Sequence, residues 1–225
     1  LRPASRRTIP HLKFTPVLFE NADVITRAGS CMRILLASAS KRRGSILRQR
    51  YETIEQIALQ GVDESVSRAP VAEQVREVVS RKSLAVMTDD SYDVIIVADT
   101  LVEDPDDELQ ALGQPDSKEN ATAMLLRLRG RRHRVWSATM VFAMGQWRTS
   151  IEHAIVEIEA YSDDAFIDLI ESDSWVGKAG GYDLAGEMGA YATLVEGAES
   201  TVLGFTQESL EYLDELQSLF SMSRS

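Results

Sequence analysis

The residues best suited to chemistry include two serines and two adjacent arginines near the start of a helix: Ser38, Ser40, Arg42 and Arg43. Hydroxyls and helix N-terminal N–H groups donate hydrogen bonds to phosphate oxygens, and guanidinium groups neutralise phosphate charge. The segment is therefore a candidate phosphate site. An ordinary serine-capped helix with solvated arginines is the alternative interpretation of so short a pattern.

A second candidate is Asp99, which follows the apolar run at 94–98 and precedes Thr100. An uninterrupted apolar run predicts a central strand that is covered on both faces. Open α/β sheets place ligand-binding groups after such strands, where a carboxylate can hold a metal or deprotonate water. Asp99 is therefore a candidate catalytic base or metal ligand, and a helix or turn cap is the alternative.

Charged residues elsewhere extend this candidate chemistry. Lys82 lies on the apolar stripe of a helical segment, where its ammonium must reach water or meet an anion. Asp63 and Glu64 provide adjacent carboxylates suited to Mg²⁺, although such pairs are also common in solvated loops. Lys178 lies in the glycine-rich stretch 177–182, where it can approach phosphate or simply be exposed on a hairpin.

Strands and helices must alternate to position these residues. A short strand at 33–38 leads into the serine-arginine turn, and the spacing of apolar residues predicts a helix at 71–86. A further helix is expected to begin at a capping box formed by Asp116 and Glu119 and to end at Gly130. Strands are expected at 135–142, 150–160 and near 191–195, and two more helices are expected to be capped by Ser162 and Thr206.

Composition limits the classes of protein to which the chain can belong. With 225 residues, 44% of them hydrophobic, it can bury the core of one domain or of a compact two-lobed one. A formal net charge of -11 disfavours binding to the phosphate backbone of nucleic acids. The single cysteine, Cys31, excludes an intrachain disulfide framework, and no apolar run reaches the ~20 residues needed to cross a bilayer. We expect a soluble, cytoplasmic protein.

The first thirty-one residues differ from the rest of the chain. They contain Arg2, Arg6, Arg7 and Lys13 with little periodicity, and Met32 directly precedes the first predicted strand. We therefore expect residues 1–31 to be an extension, either disordered or the product of an over-extended start, and residues 32–225 to form the functional domain.

Five pieces of the sequence, taken in order, resemble the Maf family of nucleotide pyrophosphatases. They are the segment 34–43, the tetrapeptide 97–100, Gly113-Gln114-Pro115, the segment 128–133 and the segment 178–182. The resemblance implies an α/β fold related to inosine-triphosphate pyrophosphatases, in which helices flank an elongated mixed sheet and two lobes surround a nucleotide cleft. It also implies cleavage of nucleoside triphosphates between the α and β phosphates, which yields a nucleoside monophosphate and pyrophosphate.

The resemblance also implies roles for particular positions. Asp99 matches the family's proton acceptor, Lys82 a lysine of the cleft, and Arg42 and Thr100 two positions associated with substrate choice. We expect Mg²⁺ or Mn²⁺ to act with these groups, held by Asp99 together with Asp63 or Glu64. Arginines and Lys82 would offset the developing phosphate charge.

The substrate expectation is dTTP, UTP or a modified pyrimidine nucleotide, because Arg42 and Thr100 resemble the branch of the family that hydrolyses dTTP and UTP. Three positions depart from the family pattern. Ala185 replaces a glutamine whose amide could contact the base, Gln114 replaces a lysine, and Lys41 replaces a proline. Lys41 is a candidate to compensate for the lost lysine.

The leading hypothesis is a house-cleaning hydrolase that removes unwanted nucleotides, and the resemblance implies a homodimer. The alternative hypothesis is a nucleotide-sensing or interaction protein that retains the fold and the phosphate pocket with little turnover. Neither hypothesis requires a nucleic-acid or membrane partner.

Overall fold

The computed structural model describes residues 31–88 and 91–222. The expected N-terminal extension, apart from Cys31, lies outside the described residues. Within them, no helix is long and apolar enough to cross a membrane.

Strands and helices alternate along the chain, as expected. The strands are β1 (Ile34–Ala37), β2 (Ile54–Ile57), β3 (Val94–Asp104), β4 (Asp107–Leu112), β5 (Arg132–Ala143), β6 (Gln146–Ile158) and β7 (Ala192–Glu196). The helices are α1 (Lys41–Arg48), α2 (Val71–Leu84), α3 (Lys118–Leu128), α4 (Asp163–Glu171), α5 (Glu199–Leu203) and α6 (Gln207–Met222), and short 3₁₀ turns cover Ala179–Gly181 and Glu187–Ala190.

The seven strands form one mixed sheet in the order β2-β1-β3-β5-β6-β7, with β4 paired to β3. β1 runs parallel to both β2 and β3, whereas all pairings from β3 through β7 are antiparallel. Helices flank this sheet, which confirms the predicted α/β class with a mixed sheet.

The long strand β3 has one neighbour along its first edge and two along the other. On the first edge, β5 pairs with β3 continuously from Val94 to Val102. On the opposite edge, β1 pairs only as far as Ile96, and β4 begins to pair at Val102. Among the described strands, nothing therefore pairs with residues 97–101 on that edge, and Asp99 lies in the middle of this gap.

Both faces of β3 are buried, as the apolar run predicts. On one face, Ile96 packs in a cluster with Leu210 and Leu213 of α6. On the other face, Ile95 packs with Val75 and Val79 of α2. A third cluster, around α3, continues the core toward β7. The helices thus hold β3 rigidly on both sides, which fixes the position of the residues at its gap.

Two of the expected helix caps are wrong in detail. α3 begins after Ser117, whose hydroxyl accepts a hydrogen bond from Asn120 N, whereas the carboxylate of Asp116 accepts from the Asn120 side chain. The Thr206 hydroxyl bonds to Ser150 instead of capping α6. The Ser162 cap of α4 is confirmed by its hydrogen bond from Ala165 N.

Candidate active site

Three charged side chains meet at the gap in β3. Lys82, from the inner face of α2, places its ammonium nitrogen 2.6 Å from Asp99 Oδ1 and 3.0 Å from Glu64 Oε1. Lys82 and Asp99 are buried, whereas the Glu64 side chain is 57% exposed. The ammonium of Lys82 therefore bridges two carboxylates, the buried one of Asp99 and the exposed one of Glu64.

Asp99 has the electrostatic surroundings of a base. Burial raises the pKa of its carboxyl group, because a desolvated carboxylate is less stable than a solvated one, and the charges of Lys82 and Arg43 act in the opposite direction. A carboxylate with a raised pKa holds a proton more strongly than an ordinary aspartate. Such a group is suited to accept a proton from water.

The turn between β1 and α1 forms a second part of the site. Ser40 caps α1 through a hydrogen bond from Arg43 N to its hydroxyl, and Ser40 N donates to the Ser38 hydroxyl. The Gln56 amide in β2 donates to the carbonyl oxygens of Ser38 and Ser40, at 2.7 and 3.0 Å. A neighbouring strand thus holds the backbone of this turn in place.

Arg43 is buried and links the turn to β3. Its Nη2 donates to Thr100 Oγ1 at 2.9 Å, its Nη1 to Ser38 Oγ at 3.3 Å, and its Nε to the carbonyl of Gly204 at 2.9 Å. Burial lowers the pKa of this guanidinium, whereas the charge of Asp99 raises it. The candidate base and the serine-arginine turn therefore belong to one electrostatic site.

A chain of hydroxyl groups continues from Arg43. The Ser137 hydroxyl lies 2.8 Å from Thr100 Oγ1 and donates to the Thr201 carbonyl at 2.7 Å. Because Ser137 has a single hydroxyl proton, Thr100 is the donor between the two hydroxyls. Thr100 therefore accepts from Arg43 and donates to Ser137, which fixes its orientation.

Arg42 lies on the more exposed side of α1 and pairs with the glycine-rich region. Its Nε donates to the Leu203 carbonyl at 2.9 Å, and its Nη1 donates to Asp183 Oδ1 at 2.8 Å. Lys178 Nζ lies 3.7 Å from Asp183 Oδ2. Two cations predicted to bind phosphate thus share one carboxylate.

The glycine-rich stretch is anchored rather than being a free hairpin. Gly180, with a φ of +67°, donates its N–H to the Gly113 carbonyl, and a Cβ there would come within 2.9 Å of Val102. The buried Tyr182 hydroxyl shares a hydrogen bond of 2.7 Å with His133 Nε2. His133 therefore makes a buried structural contact with Tyr182.

Other residues singled out in the sequence lie at the margin of this site. The Asp63 carboxylate is 71% exposed, accepts from Ser65 N, and lies 4.0 Å from Arg81. It does not share the ammonium of Lys82 with Glu64 and Asp99. Lys41, Gln114 and Ala185 are also exposed, and the N–H of Ala185 donates to Asp183 Oδ1.

Sequence reasoning missed three residues that complete the site, namely Gln56, Asp183 and Gly204. Gln56 lies on a short strand with little apolar character, and Asp183 meets Arg42 across 141 residues. Gly204 had a usable signal, because a glycine often ends a helix in the left-handed region, as this one does with a φ of +114°.

Known proteins are similar to this chain over most of its length. The family profile described as Maf-like protein matches residues 33–216. A dTTP/UTP pyrophosphatase of Clostridium beijerinckii is 28% identical over 81% of this chain and 97% of that protein. A nucleoside triphosphate pyrophosphatase of Anaplasma phagocytophilum is 30% identical over 76% of this chain and 88% of that protein.

Among solved structures, the Staphylococcus aureus Ham1 protein aligns with 57% of this chain and 72% of that one, at 16% identity and a TM-score of 0.39. The family profile covers more than half of the chain and includes both parts of the site. This chain therefore belongs to the Maf-like protein family.

Proposed function

We propose that this protein hydrolyses nucleoside triphosphates to a nucleoside monophosphate and pyrophosphate. The observation that carries the proposal is the buried pair of Asp99 and Lys82, whose electrostatic surroundings include Arg43 of the phosphate-binding turn. A base and several cations in one site are what attack of water on a polyphosphate requires. The names of the relatives, dTTP/UTP pyrophosphatase and nucleoside triphosphate pyrophosphatase, support the same reaction.

The residues of the site have separate roles in this reaction. Asp99 accepts a proton from the attacking water, whose oxygen bonds to phosphorus as the bond between the α and β phosphates breaks. Lys82 orients the Asp99 carboxylate through Oδ1. Arg42, Arg43 and Lys178 hold the polyphosphate and offset the negative charge that passes to the leaving pyrophosphate.

A divalent cation fits the donor groups of the site. The described residues contain no group of three or more His, Cys, Asp or Glu side chains that could hold a metal ion. Mg²⁺, however, is usually held by one or two carboxylates together with substrate phosphates and water. Asp99 and Glu64 converge on the same ammonium and would hold Mg²⁺ or Mn²⁺, which would neutralise phosphate charge when bound.

The substrates we propose are dTTP, UTP or modified pyrimidine nucleotides. Thr100 and Arg42, on which the sequence-based expectation rests, are both oriented by hydrogen bonds within the site. Ala185 presents no side-chain amide, so any hydrogen bonds to the base come from other groups. A cytoplasmic location and a homodimer stay predictions.

The test is release of pyrophosphate from canonical and modified nucleoside triphosphates with Mg²⁺ or Mn²⁺. We expect activity that chelation abolishes and that Asp99→Asn reduces by at least about 100-fold, because loss of general base catalysis has that size. Nucleotide binding without pyrophosphate release from any substrate would instead support a sensor.

A pair of variants tests the metal ligands. Glu64→Gln should raise the Mg²⁺ concentration that gives half-maximal activity, whereas Asp63→Asn removes an equal charge from the neighbouring, exposed side chain and serves as the matched control. Equal shifts in both variants would contradict a specific role of Glu64.

A further inference from the structure

Asp183 is a largely buried carboxylate of the site that has no part in the reaction described above. Its Oδ1 accepts from Arg42 Nη1 at 2.8 Å and from Ala185 N at 3.0 Å, and its Oδ2 lies 3.7 Å from Lys178 Nζ. The side chains of Asp183, Arg42 and Lys178 are 15%, 24% and 30% exposed. Water and salt therefore screen these charges only in part.

The position of Asp183 makes it a competitor for phosphate. Any anion that binds both Arg42 and Lys178 must share these cations with the Asp183 carboxylate or displace it. When the anion leaves, the carboxylate can pair with both cations again without moving far, because the backbone N–H of Ala185 holds its Oδ1. The energy of this internal ion pair therefore opposes anion binding and favours anion release.

Pyrophosphate is the anion for which this competition matters most. It carries most of the substrate's charge but lacks the nucleoside, so its affinity depends almost entirely on the cations of the site. Slow release of such a product limits the turnover of many enzymes. An internal carboxylate that lowers the affinity of these cations for pyrophosphate therefore speeds the release of the product.

We propose that Asp183 is the internal counter-ion that competes with product pyrophosphate for Arg42 and Lys178 and so promotes its release. This inference rests on the proposed function, because it takes pyrophosphate to be the product. Asp183 acts through the two cations and is a positioning residue rather than a catalytic one.

The test separates charge from geometry. Asp183→Asn keeps an oxygen that can accept from Arg42 Nη1 and Ala185 N, but it removes the charge. Calorimetric titration with pyrophosphate and with inorganic tripolyphosphate, in metal-free buffer, should show about fivefold tighter binding to Asp183→Asn, since a partly exposed ion pair contributes about 1 kcal/mol. Asp183→Glu, which retains the charge, should bind close to the unmodified protein.

Controls exclude a general effect of charge or folding. Asp164→Asn removes an equal charge from an exposed residue of α4 and should leave the affinity for pyrophosphate unchanged. Thermal melting verifies that each variant is folded. If Asp183→Asn binds pyrophosphate no more tightly than the unmodified protein, the proposal is wrong.

Kinetics connect the binding to turnover. In the active enzyme, Asp183→Asn should lower the inhibition constant of pyrophosphate, and kcat should fall together with KM because the product leaves more slowly. Unchanged product inhibition would overturn the role in release. If no nucleotide is hydrolysed even by the unmodified protein, the proposed function fails, whereas tighter binding of pyrophosphate by Asp183→Asn would still establish the competition.

Discussion

Arg43 is a buried cation whose position depends on a residue with no side chain. Its Nε donates to the carbonyl of Gly204, the residue that ends α5. A Cβ on Gly204 would lie 2.8 Å from that same nitrogen, and the φ of +114° already strains any other residue. The close approach of arginine and backbone is therefore possible only with glycine.

Replacing Gly204 by alanine tests this dependence. We expect Gly204→Ala to lower the free energy of unfolding by about 3 kcal/mol, because backbone strain adds to the loss of a buried hydrogen bond. Urea denaturation provides the measurement. Affinity for inorganic tripolyphosphate should fall as well, since Arg43 must move.

The matched control is Gly61→Ala. Gly61 has a φ of +72°, but a Cβ there would meet nothing within 4 Å. We expect a loss of about 1 kcal/mol from backbone strain alone and no change in phosphate affinity. Equal losses in the two variants would contradict the contact between Gly204 and Arg43.

At the residue scale, the sequence could predict a group's chemistry but not always its partner. The end of an apolar run identified Asp99, although the expected strand end there was wrong, because β3 continues to Asp104. An apolar helix stripe identified Lys82, without any indication that it lies 2.6 Å from Asp99. Asp183 was missed because its environment is set by Arg42, far away in the sequence. Local patterns contain no information about such a pairing.

Among the elements, α6 depends on a side chain from the sheet. Glu152 of β6 accepts hydrogen bonds from the backbone N–H groups of Gln207 and Glu208, at 2.8 and 3.0 Å, and from the Thr201 hydroxyl at 3.1 Å. These N–H groups have no partner within the helix, and the helix dipole favours a negative charge beside them. One carboxylate therefore fastens both α5 and α6 to the sheet.

We predict that Glu152→Gln destabilises the protein by about 1–2 kcal/mol, because an amide offers one acceptor oxygen in place of two and has no charge. Thermal or urea unfolding measures this loss. Glu215→Gln, a matched change at an exposed position of α6, should have little effect. A similar loss in both variants would show that the charge of α6, rather than its cap, determines the result.

The sequence predicted the elements that have a clear apolar pattern, including the short strands β1 and β7, and missed those that lack one. α2, β3, β5 and β6 have enough apolar positions for their period to be recognised. β2 and β4 carry few apolar residues in no regular alternation, and α5 has only five residues, so none of them showed a clear apolar period. Their boundaries depend on pairing and packing with distant segments.

For the whole molecule, a buried imidazole connects stability to pH. His133 is 4% exposed, and burial lowers its pKa to about 4. In the unfolded chain an ordinary histidine titrates near 6.5. Between these values the unfolded chain binds more protons than the folded one, so stability present above pH 6.5 is lost progressively as the pH falls toward 4.

The prediction is that His133→Gln removes this part of the pH dependence. We expect the difference in free energy of unfolding between the unmodified protein and the variant to decline by on the order of 3 kcal/mol from pH 7 to pH 4. Urea unfolding at several pH values measures it, and other titrating groups cancel in the difference. Parallel curves for the two proteins would contradict a buried neutral imidazole.

At the same scale, the fold class and the order of the main elements could be predicted from the sequence. The division of the sheet into a parallel and an antiparallel half could not be predicted, because packing between segments far apart in the chain decides the strand order. The gap in β3 is a product of that order, since it exists only where β1 ends and β4 has not begun.

The hydrogen bonds from Arg42 and Arg43 to Leu203 and Gly204 each span 161 residues. A ribosome adds roughly 5–20 residues per second, so about 10–30 s separate the synthesis of the arginines from that of the carbonyls that hold them. Once residue 99 has been synthesised, and for the rest of that interval, the nascent chain contains Asp99 and Lys82 but lacks the anchors of its phosphate-binding turn. The site can therefore be assembled only after residue 204 has been synthesised.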